Sequence, residues 1–180
     1  EQLLYHTNSI RNRGRVDHKN SFLDSHNIEK ERGITIFSDQ AIFEIGDSKY
    51  YLIDTPGHID FSSEMERALS ILDYAILVIS AVEGIQGHTY TIWSLLKKYN
   101  VPTFFFINKL DRTGANLEKV LEEIREDLTS DICYINKLNN LEEELIEFIS
   151  ERDDNLLERY LNGDYNEMEW IYNLKKLIKE

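Results

Sequence analysis

The sequence predicts an α/β fold: a doubly wound, mostly parallel sheet with an appended helical subdomain. Three observations point there. Short apolar runs at 49–53, 74–79 and 101–107 alternate with stretches whose apolar residues recur at helical spacing. Two of those runs end in polar residues suited to a phosphate or a base, Asp54-Thr55-Pro56-Gly57-His58 and Asn108-Lys109-Leu110-Asp111. From Asn139 onward the strand pattern stops and only helical periodicity remains. The expected division is therefore a sheet-bearing core over 1–138 and an insertion-like helical subdomain over 139–180.

In chain order, Glu1 to His6 reads as the end of a helix. The chain starts there without an initiator Met, so a fragment of a longer protein is expected. Residues 7–35 are polar and irregular, with Arg11, Arg13, Gly14 and Arg15 early and Glu29 to Gly33 late. A segment of this kind is expected to be a functional, mobile loop. A strand pattern then runs from Ile34 to about Ile45; Gly46-Asp47-Ser48 supplies a hairpin turn, and Lys49 to Ile53 returns. Ile59 to Leu72 is helical, with Asp60 and Glu64 at the start, where the helix dipole favours anions. Tyr74 to Ile79 is apolar on both faces, as expected of a central parallel strand. A helix over Thr89 to Tyr99 uses Ile92, Trp93, Leu95 and Leu96 as core. Val101 to Ile107 is the next buried strand, and Asn116 caps a helix to Leu128. Beyond it, Leu141 to Ile149, Leu156 to Leu161 and Met168 to Ile178 read as helices, with a break at Asn162-Gly163-Asp164.

Composition narrows the function classes. At 180 residues, 42% hydrophobic and 29% charged, the chain has material for a real core. The longest apolar runs are strand-sized, far short of the roughly 20 residues of a membrane helix. A net charge of −13 opposes broad nucleic-acid binding, leaving a specific dock on a ribonucleoprotein as the compatible mode. The single cysteine, Cys133, forms no internal disulfide and reads as a small buried apolar residue in a reducing, cytoplasmic setting.

A strand, a Pro-Gly turn and a capped helix would produce the run from Asp54 to His58 without any ligand. The second run favours a nucleotide. Asp54 can act through water on a magnesium ion, which keeps several waters and recruits few carboxylates. Gly57 lets its backbone N–H approach a terminal phosphate, and Thr55 and Pro56 shape the turn between them. Thr35 offers a hydroxyl to the same ion, and a loop held that way orders with the phosphate and relaxes on its loss. His58 is placed to orient or polarise an attacking water. Asn108, Lys109 and Asp111 suit guanine, whose N1–H and 2-amino group a carboxylate can accept.

Arg32-Gly33-Ile34-Thr35-Ile36, Asp54 to Phe61 and Asn108 to Asn116 resemble the guanine-nucleotide domain of translational GTPases of the elongation factor G class. Within it, the chain is most similar to the ribosomal protection proteins of tetracycline resistance. The resemblance covers almost the whole chain, strongly to about residue 135. It implies a P-loop GTPase fold, GTP and GDP with Mg2+, a ribosome that activates hydrolysis, and no membrane partner. It implies Thr35 as direct metal ligand, Asp54 as the water-mediated one, Gly57 as γ-phosphate contact, His58 as catalytic residue and Asn108, Lys109 and Asp111 as base readers.

Two departures qualify this. None of the eight glycines is followed by Lys, so the phosphate loop Gly-x-x-x-x-Gly-Lys-Ser/Thr is absent; in the family it lies just upstream of Glu1, with the first strand. The Ser-Ala segment that supports guanine is expected beyond Glu180. The chain alone is therefore expected to bind GTP poorly and to be inactive. A general elongation factor is the alternative enzyme reading. A nucleotide-free scaffold or ribosome-binding module is the alternative of another class.

Overall fold

The computed structural model describes residues 2–12, 14, 22–23, 26–32, 34–136 and 141–177. Arg13, Arg15, Gly33 and the 138/139 boundary of the expected division lie outside them. Four strands are present among the described residues: β1 (Asp39–Ile45), β2 (Ser48–Asp54), β3 (Ala75–Ser80) and β4 (Thr103–Asn108). The hairpin forms as expected. β1 and β2 pair antiparallel from Asp39 opposite Asp54 to Ile45 opposite Ser48, with Gly46 at φ 59° making the turn. β3 and β4 pair in parallel from Ala75 with Thr103 to Ser80 with Asn108. Each pair forms its own two-stranded sheet.

Helices fill the connections: α1 (Gln2–His6), α2 (Asn27–Arg32), α3 (Ser62–Leu69), α4 (Gly87–Lys98) and α5 (Leu117–Glu123). A short 3-10 turn over Ile59–Phe61 precedes α3, and a π-helical turn over Ile124–Leu128 continues α5. The parallel pair is joined through α4, the strand-helix-strand unit the alternating pattern predicts. Leu77 and Ile79 of β3, Leu96 of α4, Val120 of α5 and Ile124 form one buried cluster, with Leu69 of α3 against it. Trp93 packs on this cluster as expected of a core residue, and its Nε1–H donates to the Leu128 carbonyl at 3.1 Å. A second cluster joins Leu4, Ile10 and Leu23 to Ala41 and Phe43 of β1.

The last described segment is helical: α6 (Glu143–Ser150), α7 (Asp154–Leu161) and α8 (Glu167–Leu177). Their apolar stripes enclose a third cluster around Trp170, whose exposure is 0%. Asp153 starts α7 by accepting the N–H groups of Asn155 and Leu156 at 3.0 and 3.1 Å. Cys133 is half-buried beside this cluster rather than fully enclosed, and burial, followed by the charge of Glu144, pushes its thiol up to about 11. No described helix is long and apolar enough to cross a membrane.

Three local expectations are corrected. Ile34 to Ser38 are not strand; β1 begins at Asp39. α2 interrupts the segment expected to be irregular. β3 and β4 are buried on one face only, with Ile76, Val78 and Phe106 at 64%, 58% and 56% exposure. Residue type made both faces read as core, but α4 and α5 cover a single side.

Candidate functional site

The two polar runs stand where open α/β sheets bind ligands, at the carboxyl ends of strands. Asp54 is the last residue of β2 and Asn108 the last of β4. β2 delivers Asp54 half-buried, and its Cα partner across the hairpin is Asp39. Thr35, also half-buried, lies just ahead of β1. The hairpin thus brings the Thr35 segment and Asp54 to the same end of one ribbon. Hydroxyl and carboxylate oxygens are the hard donors magnesium takes. No cluster of three or more His, Cys, Asp or Glu side chains forms a closed metal cage among the described residues. This sparse donor set fits an ion that completes its shell with water and phosphate.

After Asp54 the chain leaves the sheet through half-buried Thr55 and fully buried Pro56, then emerges at Gly57. A Cβ built on Gly57 would meet nothing within 4 Å, so this glycine opens on clear space. His58 is largely exposed, 55% for its side chain. Its carbonyl accepts the Phe61 N–H at 3.0 Å, closing the turn into α3. Its Nδ1 lies 3.3 Å from the Asp60 N–H and 3.4 Å from the Asp60 carboxylate. The first contact needs a bare Nδ1 and the second a protonated one, so the proton on this nitrogen selects between them.

At the other end, Asn108 accepts the Ala81 N–H on its carbonyl at 2.8 Å. Lys109 adopts a left-handed φ of 64°, costly for a residue with a Cβ by about 1–2 kcal/mol. Its surroundings hold it there. The Lys109 carbonyl accepts the Arg112 N–H at 3.1 Å, and Nζ pairs with Glu83 at 3.3 Å. Asn116 returns the loop to the sheet through its N–H to the Ala81 carbonyl at 2.9 Å, and its side chain caps α5 on the Lys119 N–H at 3.0 Å. A cavity of about 240 Å³ opens here, lined by Ser80, Glu83, Gln86, Thr89, Asn108 and Lys109, among others. Asp111 is exposed in the following turn, outside that lining. A larger apolar groove of about 760 Å³ runs along β4 by Phe104 and Phe106 toward Phe148 and Leu174, and none of the predicted site residues line it.

Glu83 escaped the sequence reading. Hydrogen bonding from Ser80, then from Lys109, holds its carboxyl below the usual range. Its position just past the carboxyl end of β3 was the available signal.

The chain matches the family described as Elongation factor Tu GTP binding domain over residues 1–173. It is 44% identical to the tetracycline resistance protein TetP of Clostridium perfringens, over 91% of this chain and 28% of that one. It is 40% identical to TetM of Ureaplasma urealyticum, over 91% of this chain and 27% of that protein. A solved protein of Thermus thermophilus superposes with a TM-score of 0.85 at 25% identity, covering 99% of this chain and 33% of its own. The chain therefore spans about 28% of the length of the first of these relatives. With residues 1–173 matched, it belongs to the elongation factor Tu GTP binding domain family.

Proposed function

We propose that this chain is the nucleotide domain of a cytoplasmic, ribosome-associated GTPase that hydrolyses GTP to GDP and protects the ribosome against tetracycline. The observation that carries the reading is the position of Asp54 to His58 and Asn108 to Asp111 at the carboxyl ends of β2 and β4. The relatives' names, tetracycline resistance proteins TetP and TetM, support the resistance role.

In this reading residues 1–138 form the nucleotide core and 139–180 an insertion-like helical subdomain. Asn108, Lys109 and Asp111 read guanine, Asp111 by turning its exposed carboxylate onto the base. Thr55 and Pro56 set the turn from which the Gly57 N–H meets the γ-phosphate. Thr35 directly, and Asp54 through water, hold Mg2+, which supplies charge neutralisation on the phosphates. His58 orients the attacking water, and its exposure keeps it reachable by a ribosomal partner. The chain alone binds GTP poorly, because it contains no Gly-Lys phosphate loop.

GTP hydrolysis by the full-length protein, measured with and without ribosomes, tests this. Stimulation by ribosomes is expected; equal rates would overturn it. A general elongation role is the second reading, favoured by the breadth of the matched family. Rescue of a factor-depleted strain without transfer of tetracycline resistance would select it.

A further inference from the structure

Glu29 is the one charged side chain among the described residues with no exposed surface, at 0%. A buried carboxylate is costly unless donors surround it. Its two oxygens divide the work. Oε2 accepts the His26 N–H at 3.0 Å, while the Glu29 N–H donates to the His26 carbonyl at 3.1 Å, which ties off the start of α2 as in a capping box. Oε1 accepts the N–H groups of Ile36 at 2.9 Å and Phe37 at 3.0 Å. A ring contact between His26 and Phe37, centroids 4.7 Å apart, closes the same junction, and Ile36 beneath it is only 8% exposed.

α2 has six residues, too few to persist unaided. The segment it is bound to forms no ladder with β1 or β2. The carboxylate is thus the joint between a short helix and the stretch that carries Thr35.

We propose that Glu29 is a positioning residue, whose carboxylate fixes the backbone of Ile36 and Phe37 to the start of α2 and so sets the path of the segment bearing Thr35. This rests on the GTPase reading for its consequence and on the three hydrogen bonds for its geometry. Glu29 is fully buried and its oxygens are bonded to the His26, Ile36 and Phe37 N–H groups, so its role is one of positioning. It acts through the backbone, fixing the Ile36 and Phe37 end of the segment from which the Thr35 hydroxyl would reach a phosphate-bound ion.

The experiment compares wild type, Glu29→Ala and Glu29→Gln in the full-length protein. Readouts are ribosome-stimulated GTP hydrolysis, fluorescent GDP affinity and amide hydrogen exchange at Ile36, Phe37 and β3. Glu29→Ala is expected to lower hydrolysis on the order of 10–100-fold, as loss of a residue supporting a metal ligand does. GDP affinity stays within about 3-fold because the base-reading loop is untouched. Exchange at Ile36 and Phe37 accelerates while β3 keeps its protection. Glu29→Gln retains an oxygen for Ile36 and Phe37 but presents an NH2 to the His26 N–H, so it restores activity in part. Unchanged exchange at Ile36 and Phe37, or unchanged hydrolysis, overturns the proposal. So does parallel loss of GDP affinity and β3 protection, which marks a general folding role. A wild type that hydrolyses no GTP overturns the enzyme reading instead, and the exchange data still decide the joint.

Discussion

Gly84 supports the loop beside Asn108 and Lys109 in a way that can be measured. It follows β3 at φ 67°, its N–H donates to the Ser80 carbonyl at 2.9 Å, and it lines the cavity beside Asn108 and Lys109. A Cβ there would sit 2.3 Å from Oε2 of Glu123. That oxygen accepts the Ile85 N–H at 3.0 Å, so the side chain cannot swing away without releasing a hydrogen bond. Gly84→Ala therefore carries two penalties. The left-handed backbone costs about 1–2 kcal/mol. Loss of a hydrogen bond to a charged group adds about 1.5–3 kcal/mol, taken near its lower end because the Glu123 side chain is 27% exposed. The sum is about 2–4 kcal/mol. Amide exchange at Ala81 and Gly84, whose N–H groups are bonded to Asn108 and Ser80, should accelerate roughly 30- to 1,000-fold. In a Glu123→Ala background the clash is gone, and Gly84→Ala should cost only the backbone share, about 1–2 kcal/mol. Equal costs in both backgrounds, or a total under about 0.5 kcal/mol, would refute the reasoning.

Three other outcomes are expected. Ser150→Ala leaves the buried Trp170 Nε1–H, now bonded to Ser150 Oγ at 2.9 Å, without an acceptor; local stability of α6 and α8 by amide exchange should fall about 1–3 kcal/mol, and no change would show that the indole finds another partner. Burial pushes the Glu29 carboxyl up, but the N–H donors of Phe37, Ile36 and His26 outweigh it and the His26 charge assists, leaving it below the ordinary range. A depressed folded value means this stabilisation is full above the unfolded glutamate pKa and is lost as pH falls through the folded one. The Ile36 and Phe37 amide resonances should thus titrate below the usual glutamate range; a midpoint at or above it would contradict the hydrogen bonding. In the full-length protein, His58→Ala should slow GTP hydrolysis by about 100-fold or more with little change in GDP affinity, whereas matched losses would mark a structural histidine.

The placement of Asp54 and Asn108 at strand ends was legible because it depends on local pattern. An apolar run ending in Asp54 or Asn108 makes a strand whose last residue reaches the sheet's end, whatever packs around it. The stretch from Ile34 to Ser38 misled for a physical reason: its apolar residues spell a strand, but the N–H groups of Ile36 and Phe37, which a ladder would need, are taken by Glu29. α2 was hidden because a short polar helix is held by its own Glu29 carboxylate, bonded to the His26 N–H and to the backbone of Ile36 and Phe37, rather than by apolar periodicity. The exposed faces of β3 and β4 could not be read either, since Ile76, Val78 and Phe106 are apolar wherever they lie.

By itself, then, the sequence determined the carboxyl ends of β2 and β4, the hairpin, the helical segment past residue 141 and the polar residue types that follow Asp54 and Asn108, because these follow from neighbours along the chain. Tertiary structure decided what depends on contacts across it. Glu83 meets Lys109, Glu123 fills the space a side chain at Gly84 would need, and Glu29 sits buried under the segment that carries Thr35.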